Sequence, residues 1–355
     1  TDYKLAISLL EYPSGGYLIA GNSWLDGSHY FIIRTTASGD TLWNRSFEGS
    51  FHHDGAHSRS IIVTSDGGIL VTGGSVSSDT FVSKISADGD IEWSNQYAPA
   101  NTGSNGAGSA IVELPDEEFL VAGQIYINNL SENGDDIWIV RLNSSGDSLW
   151  TKNISMGYAN CKGMIADLGG GYTILATAYP LVGVGSNDAW LIKIDIDGNI
   201  INSNSYPIEN SQWNKANDFV QMPDGTYVLA GLIDYDSFDP NGRAAWLLGV
   251  DQDFELSWNY TIERQVNDYI TSIRPTSSGG CIATGLAYPS GFNPQQLILF
   301  RISSIRSPEG IDYSRVGETE VELSWQSYPG NEASKYYIYR DTISPATTLI
   351  DSVEG

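Results

Sequence analysis

Apolar and polar residues alternate in short runs along most of this 355-residue chain, and glycine-rich turns separate the runs. Tyr17 to Gly21, Ile69 to Gly73 and Phe119 to Gly123 are three such runs, each entered through a tight turn. A period of two over this length predicts half-buried β-strands, and the helical spacing i, i+3, i+4 appears nowhere. One segment recurs six times: SGGYLIAG, DGGILVTGG, DEEFLVAG, GGGYTILATA, DGTYVLAG and SGGCIATG. Its equivalent positions are Gly15, Gly67, Glu117, Gly170, Gly225 and Gly279. The period is about 50 to 55 residues, the range of propellers and solenoids.

Each repeat has further parts. A loop of variable length leads to a strand with a cation near its end: Arg34, Lys84, Arg141, Lys193 and Arg301, with Gly249 in the fifth copy. A tight turn and another strand follow, carrying Trp43, Trp93, Trp150 and Trp258, with Asn202 in the fourth copy. A last alternating stretch, such as SRSIIVTS or SAIVELP, leads into the next glycine pair. Four strands per repeat without helix predict an all-β fold, a six-bladed β-propeller of four-stranded blades over residues 1–305. One blade cannot bury both its faces, and stacking on its neighbours solves that problem. The four indoles should be largely buried against the adjacent blade, and Asn202 should mark a less well anchored outer strand. The five cations should pair with the acidic turn that follows them and serve structure.

The D-x-x-G-x-x-x-W pattern after a strand resembles the tryptophan-docking motif of PQQ-like propeller repeats. The D-G-G-Y-x-x-x-G element is similar to secreted propeller repeats of bacterial and archaeal surface proteins. The likeness implies the fold and leaves function open, because such propellers serve many purposes. Quinoprotein dehydrogenases of the PQQ class have eight blades and adjacent cysteines near the cofactor. This chain has six repeats, and its two cysteines, Cys161 and Cys281, are far apart, so no PQQ is expected.

From Pro308 the glycine pattern stops. The stretch TEVELSWQSYPGNEASKYYIYRDT resembles the front of a fibronectin type III domain, with Trp325 in a core strand and Tyr336, Tyr337 and Tyr339 in the next. Such a sandwich takes roughly 100 residues. Residues 306–355 therefore read as its N-terminal half, with the polypeptide expected to continue past Gly355 and to begin before Thr1. No Trp-bearing strand follows LILFRISSI, so blade six is expected to hold three strands.

The formal net charge of −25 argues against nucleic acid and anionic membranes, which both require a basic footprint. No apolar run approaches the roughly 20 residues of a membrane-spanning helix, so no membrane insertion is expected. Two cysteines in so long a chain make no disulfide framework, and both read as buried thiols. This composition suits an extracellular or cell-surface protein.

Topology directs the search for a site. In a four-stranded blade, the turns between strands one and two and between strands three and four share one face. Here these are tight, as at Ser65-Asp66-Gly67 and Ala87-Asp88-Gly89. The other connections are long and share the opposite face, and long connections on a rigid scaffold are where function sits. They are rich in aromatic residues beside Asn and Asp, and Trp24, Tyr126, Tyr179, Trp213, Tyr235 and Tyr288 are the candidate ligand-binding rings. One loop, FHHDGAH, gathers His52, His53, Asp54 and His57, side chains that suit Zn²⁺ or Cu²⁺ and general-base work. Asp234, Asp236 and Asp239 loosely imitate a Ca²⁺ loop that lacks its closing Glu.

The residues expected around the axis are small and neutral (Ser8, Ser60, Ala110, Ala166), with Asp218 the exception. That favours binding over catalysis. The leading reading is an extracellular binding or structural module that presents an aromatic, acidic face to a glycan or a protein, alongside further domains of the same polypeptide. It assigns no catalytic residue and no cofactor, with Ca²⁺ or Zn²⁺ as the metals these loops would suit. The alternative is a polysaccharide lyase or hydrolase that works through His52, His53 and His57.

Overall fold

The computed structural model describes residues 4–23, 29–51, 59–74, 79–97, 106–128, 133–156, 158–179, 187–209, 211–235, 242–262, 267–276, 280–288 and 296–302, and beyond them four short strands. Blade one holds β1 (Lys4–Glu11), β2 (Tyr17–Ser23), β3 (His29–Thr35) and β4 (Thr41–Glu48). Blade two holds β5 (Ile61–Val63), β6 (Ile69–Gly74), β7 (Thr80–Ile85) and β8 (Ile91–Tyr97). Blade three holds β9 (Gly106–Glu113), β10 (Phe119–Asn128), β11 (Asn133–Leu142) and β12 (Ser148–Ile154). Blade four holds β13 (Tyr158–Ala166), β14 (Tyr172–Tyr179), β15 (Asp188–Ile194) and β16 (Ile200–Tyr206). Blade five holds β17 (Trp213–Gln221), β18 (Tyr227–Asp234), β19 (Arg243–Val250) and β20 (Leu256–Ile262). Blade six has three described strands, β21 (Asn267–Pro275), β22 (Cys281–Tyr288) and β23 (Gln296–Ile302). Each sheet is an antiparallel meander, and together they form the six-bladed propeller that the repeats predict. In the tail, β24 (Ile311–Val316) pairs with β25 (Glu320–Trp325), and β26 (Tyr336–Tyr339) with β27 (Leu349–Val353). The rest of residues 306–355 lies outside the described residues, and so does the fibronectin-like reading as a whole.

The innermost strand of blades one, four, five and six bulges at one place, before Ser8, Gly163, Asp218 and Ser272. In blades one, five and six the glycine of the repeated segment faces this bulge, and blade four has Ala176 there. A Cβ on Gly21 would lie 2.0 Å from the Leu5 carbonyl oxygen, and one on Gly231 would lie 1.8 Å from that of Lys215. The row beside the axis is therefore Ser8, Ser60, Ala110, Gly163, Asp218 and Ser272. Ala166 is not in it, because it pairs with Tyr172 at the first-turn end of its strand.

Apolar cores fill the spaces between consecutive blades. Leu18, Ile32, Phe51, Ile69 and Phe81 join blades one and two. Leu70, Val82, Phe119 and Trp138 join two and three, and Leu120, Ile139, Met164 and Ile174 join three and four. Leu175, Phe219, Tyr227 and Trp246 join four and five, and Val228, Leu247, Ile273 and Ala283 join five and six. Cys161 and Cys281 are free thiols inside two of these cores, and desolvation pushes them up to about 12 and about 11.

The outer tryptophans dock between blades, but half-buried rather than enclosed. They stand on the rim, so one ring face meets the next blade and the other meets solvent. The Trp43 indole donates to the Ala87 carbonyl at 3.0 Å, and that of Trp93 to Ser144 at 3.1 Å. The rings of Trp43, Trp93 and Trp150 each cover the positive-φ glycine of the next blade's second tight turn. A Cβ on Gly89 would lie 3.1 Å from Trp43, and one on Gly146 2.7 Å from Trp93. Asn202 does not leave its strand loose. Its amide donates to the Asp253 carbonyl at 2.8 Å, while Asn204 and Tyr206 both donate to the Phe254 carbonyl. Phe254 takes the glycine place at φ 68° and is buried. In blade five, Gly249 leaves the room that Trp258, its cross-strand partner, fills.

Gly146→Ala should therefore cost about 1–3 kcal/mol, from the strained positive φ and the displaced Trp93 together. Gly39 has the same backbone, φ +90°, but no described atom lies within 4 Å of its Cβ position. Gly39→Ala should cost clearly less. Equal losses in urea denaturation would show that the indole contact adds nothing.

Candidate functional site

An ionic lattice closes the centre. Asp218, buried at the axis, accepts from the Arg59 guanidinium of blade two at 3.1 and 3.3 Å. Its other oxygen accepts from Arg274 at 2.5 Å, from the Ser272 hydroxyl at 3.1 Å and from the Ile273 amide at 3.1 Å. Arg59 also donates to the Phe219 carbonyl. Desolvation lowers the pKa of the Arg59 guanidinium, and Asp218 restores part of it. Beside this lattice lies a cavity of about 420 Å³ with mostly apolar walls, among them Leu10, Val63 and Ile165. Sequence spacing singled out Asp218 but not its two arginines, which come from blades distant in the chain.

Four of the five strand-three cations bind structural groups, and they do so at the turn before the second strand. Lys84 holds Asp66 at 2.7 Å and Thr64 at 2.7 Å, Arg141 holds Glu118 at 2.5 Å, and Lys193 holds Asp167 at 3.4 Å. Arg34 donates to the Gly15 carbonyl at 2.7 Å and stacks on Tyr12. Strand three runs antiparallel to strand two, so its cation-bearing end lies beside the first turn. Desolvation opposes ionisation of Asp66, yet its bonds to Lys84, Thr64 and Gly68 hold it down at about 2. Arg301 is exposed on blade six.

The long-loop face carries a second polar lattice, over blades four to six. Trp213, Asp234 and Arg243 form one cross-strand row on β17, β18 and β19, so their side chains share a face. Asp234 is buried and accepts from Arg243 Nε at 3.0 Å. Asn214 donates to Asp188 at 2.7 Å and to the Tyr206 carbonyl at 3.3 Å, and the Ser211 hydroxyl bonds to it. The backbone N–H of Asn214 donates to the Asn187 carbonyl at 2.7 Å, and that of Gln212 to the Asp234 carbonyl at 2.7 Å. The Arg243 amide donates to Asn267 of blade six at 3.2 Å. On this fixed ledge Trp213 is half-buried, with Lys215 Nζ 4.6 Å from its ring centroid. Tyr235 is half-buried against the blade four–five core.

Of the predicted rings, Trp213 stands in the row with Asp234 and Arg243, while Tyr235, the next residue after Asp234, packs on the blade four side. Tyr126, Tyr179 and Tyr288 lie on β10, β14 and β22, each seven residues beyond the first residue of its strand (Phe119, Tyr172 and Cys281). Trp24 has that same spacing from Tyr17 but lies outside the described residues. Sequence reasoning missed Asn214, Lys215 and Arg243, whose only signal was nearness to the loop ends. His52, His53, Asp54 and His57 lie outside the described residues, as do Asp236 and Asp239. No group of three or more His, Cys, Asp or Glu side chains converges as a metal site among the described residues. No described helix is long and apolar enough to cross a membrane.

No family model matches the sequence, and no curated protein matches it. Among solved structures, the chain is similar to an ulvan lyase of polysaccharide lyase family PL25. The identity is 9% and the TM-score 0.56, over 83% of this chain and 78% of that one. The same lyase bound to -[GlcA(1-4)Rha3S]- gives 0.55. A protein of unknown function from Dyadobacter fermentans is 12% identical, with a TM-score of 0.50, over 83% of this chain and 93% of that one. At these identities the likeness establishes the all-β propeller fold alone.

Proposed function

We propose that this protein is an extracellular glycan-binding module whose ligand lies on the long-loop face, across the ledge of blades four and five. The observation that carries the reading is the fixed row Trp213–Asp234–Arg243 with Lys215 beside the ring. A half-exposed indole offers the flat apolar surface that the CH face of a sugar ring covers, and the partly exposed Arg243 guanidinium and Lys215 ammonium beside it suit its hydroxyls. The ledge is held by hydrogen bonds already made, so little ordering entropy is spent on binding. The central groups are committed to one another, which supports binding over chemistry at the axis. With a net charge of −25, a polyanion approaches against the field of the whole protein, so a neutral glycan is the expected ligand.

A glycan array probed with the full chain, followed by titration of the best hit, tests this. Trp213→Ala should weaken binding at least tenfold while leaving the melting temperature near the parent's, and added salt should change the affinity little. Capture of no glycan, or equal affinity in Trp213→Ala, would remove the proposal.

A further inference from the structure

The cavity beside the axial lattice stands at the tight-turn end of the channel, opposite the long-loop ledge. Strand register places it there. Two residues along each inner strand from the row beside the axis lie Leu10, Ile62, Val112, Ile165, Val220 and Arg274. Each inner strand runs toward the first tight turn of its blade, so this collar sits between the lattice and that face. It is aliphatic at five blades and a guanidinium at the sixth. All of its members but Val220 line the cavity.

The collar is not filled in the way the cores are. One residue nearer the row, Ile61, Ile111, Phe219 and Ile273 are fully buried between blades. Leu10, Ile62, Val112 and Ile165 are only half-buried, because the cavity takes one side of each. Its volume of about 420 Å³ lies within the range of small-molecule pockets.

The floor is charged. Arg59 and Arg274 both line the cavity and share one carboxylate, Asp218. That carboxylate is saturated: it accepts from both guanidiniums, from the Ser272 hydroxyl and from the amides of Phe219 and Ile273. Two cations on one anion leave one positive charge in excess. Arg59 Nη1 donates to no described residue, and the Arg274 side chain is 40% exposed. Glu113 also lines the cavity, but its oxygens accept from the Ser65 amide at 2.8 Å and the Ser65 hydroxyl at 2.7 Å, at the first turn of blade two.

We infer that this pocket binds a small monocarboxylate with a short apolar tail. The carboxylate sits on Arg59 and Arg274, and the tail lies along Leu10, Val112 and Ile165. Guanidinium–carboxylate hydrogen bonds are among the strong ones, and the tail gains by leaving water. A neutral apolar guest would leave the excess charge unmatched. A polyanion would meet the field of a chain of net charge −25 many times over, whereas a single carboxylate meets the local excess. The pocket shares no residue with the glycan ledge and stands or falls separately.

Octanoate is the probe, with octan-1-ol as its neutral counterpart. Calorimetric titration of the full chain with octanoate should show one site, and octan-1-ol should bind at least tenfold more weakly. In methyl-labelled protein, octanoate should shift the NMR signals of Leu10, Ile62, Val112 and Ile165 together. Arg274→Gln should abolish the preference for octanoate over octan-1-ol. Val112→Phe leaves the lattice untouched and narrows the cavity. It should weaken octanoate at least tenfold with a melting temperature near the parent's, and it decides the matter if the Arg274 variant does not fold. The inference is overturned if octanoate does not bind, if octan-1-ol binds as tightly, or if the shifted methyls lie elsewhere. Unchanged octanoate affinity in Val112→Phe would overturn it too.

Discussion

Asp218→Ala should destabilise the protein by about 3–5 kcal/mol, the usual loss when one partner of a buried ion pair is removed. Asp218 is buried and accepts bonds from Arg59, Arg274, Ser272 and the amides of Phe219 and Ile273. Its removal leaves the Arg59 guanidinium in a site that already disfavours its charge through desolvation. The loss therefore measures a stranded cation more than a lost contact. Adding Arg59→Met should return part of it, since the charge goes while an unbranched apolar side chain remains in its place. Urea denaturation followed by tryptophan fluorescence gives both numbers. A single-substitution loss under about 1 kcal/mol, the worth of an exposed pair, would mean that the axis is wet and the lattice weak.

The lattice also marks the limit of what the chain reveals as a sequence. Repeats spaced about 50 to 55 residues apart carry the fold, because each copy states its own strands, turns and docking residue. The three described strands of blade six are legible in the same repeats. Contacts that cross the axis have no such signal. Arg59 reaches Asp218 at a separation of 159 residues, and nothing periodic links them. The ledge is illegible for a related reason. Asn214, Lys215 and Arg243 sit where the repeats diverge, and only the register of β17, β18 and β19 places the ring of Trp213 in a row with a carboxylate and a guanidinium. The cations are legible as structural, but their partners are not, because antiparallel pairing, not nearness in sequence, sets them. Asn202 shows how a rule based on apolar area alone fails: its amide donates to the Asp253 carbonyl where the Trp93 indole donates to Ser144, and Asn204 and Tyr206 hold the next turn as Asn95 and Tyr97 do beside Trp93.

Trp246→Ala should cost about 3–5 kcal/mol, the range for deleting a large, fully buried ring. Trp246 lies in the core between blades four and five with Phe219, Tyr227 and Phe254. Its indole N–H donates to Asn259 Oδ1 at 2.8 Å. Both blades meet there, so no single strand can shift to refill the space, and close-packed interiors relax only in part. Trp246→Phe separates the two contributions. It keeps most of the buried area, and Asn259 is exposed enough to bond water instead, so its loss should be about 1 kcal/mol. Tyr235 packs against the same core, so the Ala variant should also release one side of the proposed glycan ledge. Thermal melts and urea curves of the two variants, run beside Trp213→Ala, then separate core from surface. The rim substitution should leave stability near the parent's and the core substitution should not. If Trp246→Ala costs no more than Trp246→Phe, the blade four–five interface can collapse around a missing ring, and the rigid ledge loses its foundation.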